Sequence, residues 1–139
     1  MQSMIPYLVL GGRCEEALRF YSEVFDAKIE GVIRHGEVMK ELPAAQASLI
    51  LHAEIRAPGV HLMATDGQPG LPPPPPSQAI MIALGLDDTK EQDRIWAKLI
   101  EGGEELKELH STFYGGRLGV LKDRFGITWV LNVMPEPAK

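Results

Sequence analysis

The sequence predicts an α+β chain built from two tandem βαβββ modules. Three observations carry this expectation. Each half opens with a short apolar run and then switches to a helical period. Three strand-like segments follow each helix, and a proline-rich stretch separates the halves.

In the first half, Met4–Leu10 (MIPYLVL) reads as a strand closed by Gly11-Gly12. From Arg13 the apolar residues Ala17, Leu18, Phe20, Tyr21, Val24 and Phe25 recur at helical spacing. Glu15 and Glu16 near the start suit the positive end of a helix. Strands are expected at Lys28–Arg34, Ala47–Arg56 and Val60–Thr65, the last two joined through the turn residues Ala57-Pro58-Gly59. The stretch His35–Gln46 reads as a loop.

The second half repeats this order. Ala79–Leu86 is an apolar strand, and Thr89–Glu101 is helical through Ile95, Trp96, Leu99 and Ile100. Asp87 or Asp88 can cap that helix, and Gly102-Gly103 ends it. Strands follow at Glu105–Thr112, Arg117–Lys122 and Ile127–Val133, the last pair turning through Arg124-Phe125-Gly126. Phe20-Tyr21…Val24-Phe25 superposes on Ile95-Trp96…Leu99-Ile100, and Gly59 on Gly126, which favours a duplication. The expected organisation is one domain over 1–139: a first module at 1–66, a linker at 67–77, and a second module at 78–139. Pro72–Pro76 makes that linker a stiff polyproline II spacer. A βαβββ half alone is too small to bury its own sheet.

Composition bounds the function. The 139 residues are 45% hydrophobic and 24% charged, as in an ordinary globular protein. A net charge of −5 argues against nucleic acid, which needs a basic face. Cys14 is the only cysteine, so no intramolecular disulfide can form, which fits a reducing compartment. The start lacks a cationic n-region, and no stretch approaches the roughly 20 apolar residues of a membrane span. A soluble cytoplasmic protein is expected.

The segments PYLVLGGRCEEALRFYSEVFDAKI (6–29), LHAEI (51–55), LMATD (62–66), LIEGG (99–103) and STFYGGRLGVLKDRFGITWVLN (111–132) carry a family resemblance. Together they resemble the PhnB-like branch of the vicinal oxygen chelate (glyoxalase/bleomycin-resistance) superfamily, over nearly the whole chain and in the family's order. Two departures are local: Tyr114 stands where the branch usually shows Trp, and the His35–Gln46 loop is short. The resemblance implies paired βαβββ units whose sheets curl into a cup, and frequent dimerisation. It does not imply one activity, because the superfamily holds isomerases, dioxygenases, thiol transferases and metal-free drug-sequestering proteins.

The resemblance also implies where a divalent ion would sit. Glyoxalase-type members use four ligands of His, Gln or Glu type, from the first and last strand of each module. Such an ion wants imidazole nitrogen or carboxylate oxygen at about 2.0–2.2 Å. The matching positions here are Met81 and Val130 in the second module, Met63 in the first, and one of Ile5, Pro6 or Tyr7. Only Tyr7 among these can ligate, so the usual centre is absent and no cofactor is expected.

Strand alternation selects other polar groups. Val60, Leu62 and Ala64 are apolar and should lie under the helix, leaving His61, Met63 and Thr65 for the cup. A turn through Ala57-Pro58 would set Glu54 opposite His61 and His52 opposite Met63. The same parity assigns Arg117, Thr128, Val130 and Asn132 to the cup of the second module, and a one-residue register error would invert all of these. The expected ligand pocket is thus His52, Glu54, His61, Met63, Tyr7, Arg117, Val130 and Asn132. His52, Glu54 and His61 admit three readings: solvated polar residues of the cup, an acid–base pair, or a displaced metal site.

Other signals are weaker. Gly115–Gly119 is glycine-rich but lacks the strand–loop–helix setting of a phosphate loop, so turn geometry explains it. Cys14 at a helix start is expected to be packed and inert, His35 and His110 to be solvated, and Phe113, Tyr114 and Trp129 to be core or pocket-wall aromatics. The expected function is binding of a small organic ligand in the cup, as a homodimer. The alternatives are an isomerase or lyase using His52, Glu54 and His61, with or without a metal, and an interaction protein that uses Pro72–Pro76.

Overall fold

A computed structural model describes residues 1–135. The last four positions of the expected second module, 136–139, lie outside the described residues. The chain forms two compact units, Met1–Pro75 and from Pro76 onward.

The first unit contains β1 (Tyr7–Val9), α1 (Cys14–Phe25), β2 (Lys28–Arg34), α2 (His35–Val38), α3 (Ala44–Ala47), β3 (Ile50–Ala57) and β4 (Val60–Thr65). Its sheet runs β1-β4-β3-β2, with β1 parallel to β4 and the other pairs antiparallel. A parallel pair needs a long crossover, which α1 begins. The helix buries Cys14, Ala17, Leu18, Phe20, Tyr21 and Val24 against the sheet. Beneath it lie Leu8, Ala53, Ile55, Leu62 and Ala64. Arg13 gives α1 no side-chain cap. Instead Asp66, at the end of β4, accepts the Gly12 and Cys14 backbone N–H groups at 2.8 Å with one oxygen and that of Ile50 at 2.8 Å with the other. One buried carboxylate thus satisfies donors of the β1–α1 turn and the start of β3 together.

The second unit repeats the plan with β5 (Ile82–Leu86), α4 (Thr89–Leu99), β6 (Glu104–Ser111), β7 (Arg117–Lys122) and β8 (Thr128–Val133). Its sheet runs β5-β8-β7-β6, again with the first pair parallel. Asp88 caps α4 by accepting the Glu91 N–H at 2.8 Å. Ile95 and Leu99 pack toward a core that holds Leu121, Trp129 and Leu131. Asp123 closes the β7–β8 turn, accepting the Phe125 and Ile127 N–H groups and the Trp129 indole N–H at 2.8–3.0 Å. The two sheets are α+β and mixed, each with four strands, as the repeat predicts.

Several local expectations are corrected. The first strand is shorter than Met4–Leu10, because only Tyr7–Val9 pair with β4. His35–Gln46 is not a plain loop but carries two single-turn helices, the first closed by Glu37 accepting the Arg34 N–H at 2.6 Å. His35 is not solvated. It is 1% exposed, with Nε2 bonded to the Gly67 carbonyl at 2.8 Å. The β3–β4 hairpin turns through Pro58-Gly59, with Gly59 at φ +74°, and pairs Ala57 with Val60. Glu54 therefore faces Met63, and Arg56 faces His61. The register differs by two residues from the expected one, so the faces survive while the partners change. In the second unit, Phe113 is fully exposed rather than a core or pocket-wall residue.

Candidate functional site on the first sheet

The face of the first sheet opposite α1 carries Tyr7, His52, Glu54, Arg56, His61 and Met63. Pairing sets Tyr7 beside Met63 and Met63 beside Glu54, one row across β1, β4 and β3. Two bulges shape the β2–β3 pair. An extra residue in β2 falls where Gly31 adopts φ +61°, between the pairs Glu30–Glu54 and Ile33–His52. A second in β3, at Leu51, lets Ile50 enter the core at 1% exposure where alternation alone assigns Leu51.

The polar groups form a connected chain. The Tyr7 hydroxyl lies 2.7 Å from His52 Nδ1, reaching over β4. Their rings are tilted at 5.6 Å between centroids. Glu54 lies between two imidazoles: its Oε1 is 2.7 Å from His61 Nε2, and its Oε2 is 3.7 Å from His52 Nε2. Arg56 lies 3.5 Å from Glu54 and 3.6 Å from Glu30. The side chains of His52, Glu54 and His61 are 26%, 21% and 24% exposed, open enough to meet a ligand and closed enough to hold their geometry. The hydrogen bond from His61 holds the Glu54 carboxyl below the usual range against the opposing effect of burial, with Arg56 and both imidazoles adding to the lowering. Partial burial raises the Tyr7 phenol, and Cys14 and Glu54 add to that. Cys14 itself is fully buried, and that burial, with Asp66 and Glu15, pushes its thiol up to about 12. It is a packed thiol, not a reactive one.

The expected residues of the second unit fall otherwise. Val130 and Asn132 share the face opposite α4 with Leu118 and Val120, and Asn132 Oδ1 accepts from the Tyr114 hydroxyl at 2.8 Å. Arg117 does not join them. It pairs with Val133, on the helix side, and its guanidinium meets Asp93 of α4 at 2.8 Å. The parity count had run β7 in phase with β8, whereas the register sets Arg117 with the buried Val133 and Leu118 with Asn132. A shallow hollow on the helix side of the first unit, floored by Leu18, Ile29, Val32 and Ile50, is distant in character from this polar chain.

The family model described as 3-demethylubiquinone-9 3-methyltransferase matches residues 2–132. The chain belongs to this family. Among solved structures, protein PA1353 from Pseudomonas aeruginosa is 29% identical, with a TM-score of 0.85 over 98% of this chain and 100% of that one. A PhnB protein from Bacillus cereus is 24% identical, with a TM-score of 0.76 over 95% and 99%. Protein YjdN of Escherichia coli K12 is 24% identical over 141 residues, covering 94% of this chain and 95% of its own. The fold extends to a glyoxalase/bleomycin resistance/dioxygenase family enzyme of Burkholderia phytofirmans at 12% identity, TM-score 0.59, over 95% and 96% of the chains. The shared fold of these structures is in line with the resemblance of the sequence motifs to the PhnB-like branch of the vicinal oxygen chelate superfamily. The methyl transfer in the family's description names the family and is not assigned to this chain.

The divalent centre of glyoxalase-type relatives does not fit these residues. The register puts Tyr7 beside Met63 and Ala83 beside Val130, with Met81 just ahead of β5. Thioether, methyl and isopropyl groups do not hold a hard or borderline cation. Among the described residues, no group of three or more His, Cys, Asp or Glu side chains is arranged to hold a metal ion. Sequence reasoning found His52, Glu54 and His61 but missed two features. Tyr7 was placed in the expected pocket but its hydrogen bond to His52 was not foreseen, and Asp66 was given no role although it ends the LMATD segment.

Proposed function

We propose that the protein binds a small organic ligand against the polar face of its first sheet, without a resident metal. The observation that carries this reading is the connected set Tyr7–His52–Glu54–His61 beside Met63: placed polar groups held to one another, with an aromatic ring and a thioether among them. Ligand sites in general take specificity from such groups and affinity from the apolar surface around them. Membership of the PhnB-like branch supports the reading, since the fold recurs in glyoxalase-related enzymes.

The test is a fragment screen by backbone NMR. Ligand-induced shifts are expected to cluster on β1, β3 and β4, and His52→Ala is expected to weaken the best ligand about tenfold. Shifts confined to the hollow beside Leu18 and Val32, with His52→Ala binding as the parent does, would refute this site.

A further inference from the structure

The proline run Pro72–Pro76 lies outside every strand and helix and away from the residues of the ligand face. It follows a turn in which the Leu71 N–H donates to the Gln68 carbonyl at 3.2 Å, and every residue from Leu71 to Ile80 is exposed. Five successive residues without an N–H cannot join a sheet ladder or a helix. Their φ angles, fixed near about −65°, favour polyproline II, a rod with three residues per turn. Residues three apart share an edge of such a rod. The edges are Pro73 with Pro76, Pro72 with Pro75, and Leu71 with Pro74.

The first edge is taken up by the protein itself. In the first unit, a Cβ on Gly11 would lie 2.0 Å from Pro73 Cβ. In the second unit, a Cβ on Gly126 would lie 3.1 Å from Pro76 Cγ. Each glycine thus lets a proline ring approach its backbone where a larger residue would push it off. The other two edges remain for a partner, and Leu71 is 63% exposed.

We propose that Leu71–Pro75 is a docking segment for a partner protein whose groove of aromatic side chains reads polyproline II. Such grooves take a proline pair of the form PxxP with the apolar residues beside it. Pro72 and Pro75 are that pair, Leu71 and Pro74 are the neighbours, and Pro73 stays on Gly11. Gly67–Leu86 holds no charged residue, so recognition rests on packing against ring faces and not on an ionic flank. The stiff rod loses little freedom on docking.

The test titrates the full chain into nitrogen-15-labelled SH3 and WW domains, the two probes, and follows their groove resonances by NMR. At least one probe is expected to shift in its aromatic groove. Pro72→Ala and Pro75→Ala should each weaken that binding about tenfold or more, and Pro73→Ala should stay within about threefold of the parent. A free peptide of residues 70–78 supplies the contrast. Its Pro73–Pro76 edge is not held by glycines, so either PxxP pair can dock and Pro72→Ala should cost the peptide about threefold or less. No groove shift with either probe overturns the proposal, as does binding by the peptide but not by the full chain. Equal losses for Pro72→Ala and Pro73→Ala in the full chain also overturn it, because the edges would then be equivalent.

Discussion

His52 and Ile55 lie three positions apart on β3 and face opposite sides of the sheet. Ile55 is 1% exposed under α1, while the His52 side chain is 26% exposed and hydrogen-bonded to Tyr7. Emptying a packed position costs about 2–5 kcal/mol, so Ile55→Ala is expected to lower stability by that amount. His52→Ala loses one partly solvated hydrogen bond and should cost about 1 kcal/mol or less. Urea midpoints of the two variants check this, and equal losses would make His52 a structural residue. The alternation that separates these two side chains was legible in the sequence, since strand parity is a local property. The position of Leu51 was not. It sits at a bulge, and the core place that alternation gives it belongs to Ile50.

Among the elements, β2, β4 and β7 match their expected limits, and in β4 a period-2 pattern beside the Pro58-Gly59 turn defines the strand without reference to the rest of the chain. The glycines near β7 also behave as turn chemistry. Gly115 has φ +86°, and a Cβ on Gly116 would lie 2.2 Å from the Val133 carbonyl oxygen. The joints between elements depend on single side chains far away in sequence. Asp66 fastens the β1–α1 turn and the start of β3 through three backbone donors. Asp66→Ala would leave those donors unmet inside the first unit and is expected to cost at least about 2 kcal/mol. Denaturation of Asp66→Ala and Asp66→Asn gives the check: the amide oxygen can keep part of the set, so Asn should be the milder change. A cost below that of an ordinary surface substitution would show that water replaces the carboxylate there.

For the whole molecule, two expectations concern composition of the working species. The positions that would hold a divalent ion are Met63, Met81, Val130 and the Tyr7 region, so protein purified without added metal is expected to be folded and essentially metal-free. Elemental analysis giving close to one equivalent of zinc, nickel or manganese per chain would contradict this. The edge strand β2 leaves Ile29, Val32 and Ile33 at 38–40% exposure, and an apolar edge invites cover. We therefore expect a homodimer at micromolar concentration, and sedimentation showing only monomer would remove that proposal.

The sequence by itself determined the order of the strands and of the two long helices, the repeat of that order, the family resemblance and the apolar faces of α1 and α4. These follow from periodicities of two and 3.6 residues and from contiguous motifs, which tertiary packing does not alter. Only the tertiary structure decided which side chains meet. The β3–β4 turn set the partners of Glu54, the β7–β8 register turned Arg117 toward Asp93, and parallel pairing of β1 with β4 brought Tyr7 within 2.7 Å of His52. Tyr7 and His52 are 45 positions apart, on strands separated by a third. No local pattern encodes that distance, because register is fixed by the turn and by burial of the opposite face together.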